Sequence, residues 1–194
     1  MRKDLIRSAI AIVAVTAVFG FAYPAVMTGF ALLAFHNKAD GSLITENGRV
    51  VGSKLSAQAF TGQRYFHPRP SATDPPYDAD GTTFSNLGPN SKQLESLVMQ
   101  RVHAILKLEG PYNPGLTAAR IPVDAVTASG SGIDPEISMA YAELQAPRVA
   151  SLRGLPLATV QSLIGANTDG RSLDFLGEPG VNVLELNLAL DQEH

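Results

Sequence analysis

The sequence predicts an α+β fold in which one N-terminal transmembrane helix is followed by a single mixed α+β extracytoplasmic domain. Three observations lead to this class. Residues 8–35 contain no charged side chain, short strand-like and helix-like segments follow without a regular βαβ order, and 194 residues suit one domain better than two.

The uncharged stretch is long enough to cross a lipid bilayer. As a helix, its 28 residues reach about 42 Å, whereas the hydrocarbon core is about 30 Å thick. Pro24 predicts a kink in this helix. The alternatives are a cleaved signal peptide, whose apolar core is normally much shorter, and a buried core helix. Gly20-Phe21-Ala22, with Pro24 just beyond it, is a poor cleavage site.

The flanking charges predict the orientation of the helix. Arg2, Lys3 and Arg7 precede it, and only Asp4 opposes them. Because Lys and Arg favour the cytoplasmic side, residues 1–7 are expected to form a short cytoplasmic N-terminus. Residues 8–35 then span the membrane once, and residues 36–194 form the extracytoplasmic domain.

Composition excludes several classes of function. The chain has no cysteine, which excludes disulfides, thiol nucleophiles, Cys-bound zinc and iron–sulfur clusters. Removing the three basic and one acidic residue of positions 1–35 from the 15 and 18 of the whole chain leaves the domain a formal charge of −5. With no dense basic cluster after Arg7, nucleic acid is not an expected partner.

The domain is expected to open with a β-hairpin. Residues 42–45 and 49–51 flank a turn that contains Asn47-Gly48, and Asn-Gly favours a tight hairpin because both residues accept positive φ. Residues 55–60 have the spacing of one or two helical turns. Residues 62–90, rich in Gly, Pro, Asn, Asp and Ser, predict a long irregular segment.

A strong helix is predicted next, capped by Asn90 or Ser91 and ended by Gly110-Pro111. Its apolar residues recur at helical spacing. They are Leu94, Leu97, Val98, Val102, Ile105 and Leu106. Residues 121–127 then predict a strand, because Val123, Ala125 and Thr127 occupy alternate positions.

Three further elements complete the expected domain. Asp134-Pro135 predicts the start of a helix, with Asp as the N-cap and Pro in the first turn. Residues 156–164 predict a short helix. Residues 184–190 predict a final strand, because every second residue is Leu.

One glycine-containing loop, Ser129-Gly130-Ser131-Gly132, lies between the predicted strand and helix. Backbone N–H groups in such a loop can cradle an anion or nucleotide phosphate. The loop is neither a Walker A motif nor a nucleophile elbow. The alternative interpretation is a flexible turn without a ligand.

No catalytic or metal-binding set is predicted. The four histidines share no metal-ligand spacing, and exposed His103 is expected to be solvated. Ser131, His67 and Asp134 are compatible with a hydrolase triad only by residue type. The Tyr65–Pro70 segment either contacts a partner or uses its aromatic and Arg side chains to hold a long loop in place.

Four stretches resemble one known family. They are residues 52–55 continuing to 65–72, residues 85–89, residues 126–138 with 145–150, and residues 176–187. Together with the N-terminal span, they are similar to the C subunit of the Kdp potassium-transporting ATPase of bacteria and archaea. Glu136 and Ala146 depart from the resemblance, which leads us to expect His and Val there.

The resemblance implies a non-catalytic accessory subunit of high-affinity, ATP-driven potassium uptake in the cell (inner) membrane. Its implied partners are a channel-like potassium-binding subunit, a P-type ATPase catalytic subunit and a small single-helix subunit. ATP and potassium would be handled by these partners, with no cofactor on this chain. Modulation of ATP affinity is also implied, and the predicted topology restricts it to indirect coupling.

Candidate partner-docking residues come from the small side chains of the membrane helix and from the stretches of resemblance. They are Ala9, Ala17, Gly20, Tyr65, Phe66, Arg69, Asn86 and Arg148. Two other classes of function remain as alternatives. One is a membrane-anchored extracytoplasmic hydrolase, and the other is a small-ligand binding module.

Overall fold

The chain forms two compact units, one ending at Val51 and one beginning at Gly52. The computed structural model describes residues 2–193. The first unit is dominated by a continuous apolar helix of 33 residues, Arg2–Ala34, long enough to cross a membrane. No residue of this helix is buried within the chain, so its apolar side chains are free to contact lipid or other helices.

The long helix changes its winding in the middle. It consists of α1 (Arg2–Val15), a π-helical segment (Thr16–Ala22) and α2 (Tyr23–Ala34). The N–H of Tyr23 donates to the carbonyl of Val18, five residues back. Pro24 has no N–H to donate, and the wider turn lies immediately before it. The kink expected at Pro24 stays a prediction, and what the structure shows here is the π-helical winding just before it.

The long helix is followed by α3 (His36–Ala39) and a two-stranded hairpin of β1 (Leu43–Glu46) and β2 (Arg49–Ser53), and the boundary between the two units falls within β2. Asn47 and Gly48 both have positive φ, 49° and 76°. This is the geometry that the Asn-Gly pair was expected to adopt, so the predicted hairpin is confirmed.

A long irregular segment follows, as the composition predicts. Residues 54–91 contain no helix or strand, and the helical turns predicted at 55–60 are absent. The segment ends where α4 (Lys92–Glu109) begins. Ser91 caps α4 by accepting a hydrogen bond from the N–H of Leu94 at 3.4 Å, so the predicted helix is confirmed.

The strand predicted at residues 121–127 is wrong. The short helix α5 (Val123–Val126) lies in this region, just after a 3₁₀ turn (Ala118–Arg120). Neighbouring Ala125 and Val126 are both buried, which a half-exposed strand does not allow. The alternation of side chains in this short segment was therefore fortuitous.

The helix predicted to start at Asp134-Pro135 is also wrong at its beginning. Residues Glu136–Ser138 form β3, and α6 (Met139–Arg153) begins after it. Ser138 caps α6 by accepting from the N–H of Tyr141 at 3.1 Å. The N–H of Val183 donates to the carbonyl of Pro135, so pairing with a distant segment extends the chain here.

The remaining elements are α7 (Leu157–Ala166), β4 (Thr168–Asp169), β5 (Gly180–Asn182) and α8 (Val183–Asp191). α7 confirms the helix predicted at 156–164. The three short strands form one antiparallel sheet in the order β3-β5-β4. With helices and a small antiparallel sheet in one unit, the predicted α+β class is confirmed.

The last predicted strand is a helix, α8. The buried residues Val183, Leu186, Asn187 and Leu190 follow the i, i+3, i+4, i+7 spacing of a helical face. Asn182 supplies the cap, accepting from the N–H of Glu185 at 3.1 Å. Because Asn187 is polar, this helical face is harder to recognise in the sequence than the alternation of leucines.

The core of the second unit is built around α6. This helix contacts α4, α7, β3 and β5 and buries seven of its residues. The buried cluster includes Phe66 from the irregular segment, Ile137 from β3 and Val181 from β5. The irregular segment is therefore anchored in the same core as the regular elements.

Candidate functional site

The small residues of the membrane helix line a shallow apolar groove. The groove has a volume of about 360 Å³ and is lined by Ala9, Ile10, Val13, Ala14 and Ala17. Small side chains let a second helix approach closely, and van der Waals packing in such a groove is a main source of helix association in lipid. Two of the three predicted helix-docking residues, Ala9 and Ala17, therefore lie together.

Gly20, the third predicted helix residue, is not part of the groove lining. It lies in the π-helical segment, where a Cβ would meet only the Thr16 methyl group at an ordinary 3.6 Å. Its surface is open, so it remains a candidate for close helix approach.

Two side-chain amides hold a short stretch of the irregular segment around Phe66 and His67. Asn187 of α8 accepts from the N–H of Phe66 at 2.8 Å and donates to its carbonyl at 3.0 Å. Gln145 of α6 does the same for His67, at 2.8 Å and 3.1 Å. Two side-chain amides thus replace the backbone ladder that a neighbouring strand would supply.

Arg148 extends this arrangement toward the start of the stretch. Its guanidinium donates to the carbonyls of Gln63 and Tyr65 and forms a 2.8 Å pair with Glu109. Both charged side chains are almost fully buried, at 0% and 2% exposure. Burial raises the pKa of Glu109, while the neighbouring Arg148 opposes this shift.

Burial also decides how two predicted docking residues act. Phe66 and Arg148 each have 0% of their surface exposed. In this fold neither side chain is accessible at the surface of the chain, and their contacts hold the loop in place. The burial of Phe66 agrees with the interpretation in which aromatic side chains of the Tyr65–Pro70 segment hold the long loop in place.

Tyr65 and Arg69 lie at the surface and are partly engaged. The Tyr65 hydroxyl donates to Asp191 at 3.1 Å, and the Arg153 guanidinium lies 4.8 Å from its ring centroid. Arg69 forms a 3.0 Å pair with Asp134, at the edge of a cleft of about 400 Å³. Asn86 is exposed and has a positive φ of 51°. These three residues remain candidates for partner contact.

The Ser129–Gly132 loop uses its polar groups internally. The N–H of Ser129 donates to the carbonyl of Pro70, and the N–H of Gly132 donates to the Ser129 hydroxyl. A Cβ at Gly132 would lie 2.7 Å from the Thr73 methyl group, so the loop is packed tightly against residues 71–83. Two N–H groups that an anion would need are already bonded.

The hydrolase set is not assembled either. The Nε2 of His67 contacts the carbonyl of Gly62 at 3.0 Å, and Asp134 pairs with Arg69. Burial lowers the pKa of His67, and the positive charge of Arg148 lowers it further. Within residues 2–193, no group of three or more His, Asp or Glu side chains has a geometry that holds a metal ion.

Comparison with known proteins decides the family. The family model described as "KdpC: K+-transporting ATPase, c chain" matches residues 5–192. The chain belongs to the KdpC family. A potassium-transporting ATPase KdpC subunit of Acidobacterium capsulatum is 48% identical over 97% of this chain and 98% of its own length. A KdpC subunit of Mycobacterium tuberculosis is 45% identical over 99% of this chain and 100% of its own length.

A third KdpC subunit, from Rhodopseudomonas palustris, is 48% identical over 98% of both chains. This family membership confirms the resemblance drawn from the four sequence stretches. It also identifies the chain as a subunit of a membrane potassium pump, in agreement with the exposed 33-residue apolar helix.

Sequence reasoning missed the two amides that organise this KdpC-family domain. Asn187 was assigned to a strand, and Gln145 was not singled out although it stands three residues before Arg148. A signal was present for Asn187, because it occupies a helical position between Val183 and Leu190. Nothing local identifies its contact with Phe66, which is 121 residues away along the chain.

Proposed function

We propose that this chain is a non-catalytic accessory subunit that helps to assemble an ATP-driven potassium uptake complex. The observation that carries the proposal is the match to KdpC subunits over nearly the full chain. The exposed apolar helix supports it, since lipid and partner helices together can cover an apolar surface of this length.

The partners in this proposal are a channel-like potassium-binding subunit, a P-type ATPase catalytic subunit and a small single-helix subunit. The groove of Ala9, Ala14 and Ala17 offers a close-packing site for a partner helix in the membrane. The second unit, from Gly52 onward, offers its exposed surface to partner domains. Assembly would therefore use two separate surfaces of the chain.

The proposed topology places residues 1–7 in the cytoplasm, residues 8–35 in the membrane and residues 36–194 outside. Basic Arg2, Lys3 and Arg7 at the N-terminal end support this orientation. ATP is then handled by the catalytic partner, and any effect of this chain on ATP affinity is indirect coupling through the complex. The internally bonded Ser129–Gly132 loop agrees with this proposal.

The test is a mild-detergent pull-down of the full chain from potassium-starved cells, followed by mass spectrometry. We expect a P-type ATPase and a channel-like potassium subunit to be recovered in amounts comparable to the chain. Recovery of the chain alone from intact, well-solubilised membranes would contradict the accessory role. Ligand and hydrolase screening of residues 36–194 would then follow.

A further inference from the structure

The loop of residues 171–177 exposes an unusual amount of apolar surface. Leu173, Phe175 and Leu176 are 76%, 68% and 50% exposed. Elsewhere in the described part of the second unit, large exposed apolar side chains occur one at a time along the sequence. They are Leu55, Phe84, Met99, Val123, Met139 and Leu157. Isolated exposed apolar residues are ordinary, whereas a cluster marks a surface that is covered in the working state.

This loop has a fixed shape. Ser172 and Leu176 exchange two backbone hydrogen bonds of 2.9 Å, and Arg171 pairs with Glu178 at 2.8 Å. Leu173 and Asp174 have positive φ, 55° and 65°, a conformation that side-chain-bearing residues rarely adopt. Such a conformation persists only where the surrounding contacts hold it. The apolar side chains are therefore presented to solvent in a preorganised arrangement.

Negatively charged side chains lie on one side of the loop. A cleft of about 420 Å³ beside the loop is lined by Glu136, Asp169 and Glu178 together with Ser172 and Leu176. Burial raises the pKa of Glu136, and the neighbouring carboxylates raise it further, whereas the Lys54 ammonium opposes the shift. Crowded carboxylates of this kind gain from an approaching cation.

The charge pattern limits what can cover this surface. Residues 169–178 contain Asp169, Asp174 and Glu178 but only one basic residue, Arg171. Anionic lipid surfaces attract basic segments, so this acidic segment is poorly suited to them. Two copies of the same acidic surface would repel each other. A protein with an apolar pocket and a basic rim is complementary in both shape and charge.

We infer that the 171–177 loop and its acidic cleft form a docking surface for a protein partner whose apolar pocket is rimmed by Lys or Arg. Leu173 and Phe175 enter the pocket, and the carboxylates of the cleft pair with the basic rim. This inference rests on the proposed function, because it assigns one of the assembly contacts of the accessory subunit. This surface contains none of the docking residues that were predicted from the sequence.

Crosslinking in intact membranes tests the contact directly. Leu173 is replaced by a photoreactive benzophenone amino acid in the full chain, and Leu55, which is 58% exposed, is replaced in the control. After irradiation, the complex is purified in mild detergent. We expect position 173, and not position 55, to crosslink to a subunit that co-purifies in stoichiometric amount. Crosslinks only to lipid, only to a second copy of the chain, or equally from both positions would overturn the inference.

A charge substitution tests the energetics. The double variant Leu173→Asp/Phe175→Asp is expected to lower recovery of the complex by at least about tenfold, whereas Leu55→Asp leaves recovery unchanged. Both variants should unfold at the temperature of the native chain, because the replaced side chains already face solvent. Undiminished recovery of the complex with the double variant would overturn the inference.

The two proposals fail in different ways. If the native chain recovers pump subunits but position 173 reaches none of them, the docking surface is wrong and the accessory role stands. If the native chain recovers no pump subunit, the accessory role fails, and the docking surface fails with it.

Discussion

At the scale of single residues, one buried ion pair joins α4 to α6 and holds residues 63–65 against them. Arg148 contacts Glu109, Gln63 and Tyr65. Its charged hydrogen bonds take the place of the neighbouring strand that residues 63–67 lack. An ion pair in the interior is costly to break, because the remaining charge stays buried without a partner. Arg148 is thus a structural residue of the loop, although sequence reasoning assigned it to docking.

Replacing Arg148 tests this role. Arg148→Met is expected to destabilise the second unit by about 3–5 kcal/mol, because Glu109 is left buried and unpaired. Arg171→Met, which removes an exposed pair with Glu178, is the control and should cost less than about 1 kcal/mol. Thermal unfolding followed by circular dichroism measures both. Equal losses for the two variants would show that burial of the Arg148 pair does not matter.

His67 gives the same stretch a pH dependence. Its pKa in the folded chain is below the ordinary 6.5, so the unfolded chain takes up a proton first as the pH falls. The stability contributed by neutral His67 is therefore present above about pH 6.5 and is lost as the pH falls toward the folded pKa. His67→Gln should weaken the loss of unfolding free energy between about pH 7 and pH 5. An identical pH profile for native and His67→Gln chains would contradict this account.

At the scale of elements, side-chain size along the membrane helix decides where a partner helix can approach closely. Ala9, Ala14 and Ala17 line the groove, whereas Ala11 does not. Ala17→Leu is expected to lower the recovery of complex several-fold by filling the groove, and Ala11→Leu should have little effect. The measurement is the ratio of partner subunits to this chain after purification in mild detergent. A loss that is equal for both variants would indicate a general effect of helix bulk.

At the scale of the whole molecule, the decisive property is orientation in the membrane. The absence of cysteine allows a clean labelling experiment, because a single introduced thiol is the only reactive one. In intact cells, a membrane-impermeant maleimide should label Leu55→Cys and should label Lys3→Cys only after the membrane is opened. The reverse pattern would overturn the orientation inferred from the basic N-terminus.

Much of the chain follows from local signals in the sequence. The uncharged stretch determined the long apolar helix, Asn47-Gly48 determined the hairpin, and Ser91 determined where α4 begins. Each signal is local: a positive φ, a capping side chain or a stretch without charged side chains. The short helix predicted at residues 156–164 is also present, as α7.

Tertiary structure decided the rest. Residues 136–138 form a strand because they pair with β5, more than 40 residues later, and Leu184–Leu190 lie on a helix because Val183, Leu186 and Leu190 face the core. Phe66 is buried because Asn187 binds its backbone from 121 residues away. The sequence by itself determined those elements whose stabilising contacts are local. Where the deciding partner is distant along the chain, only the folded structure shows which of two competing periodicities is satisfied.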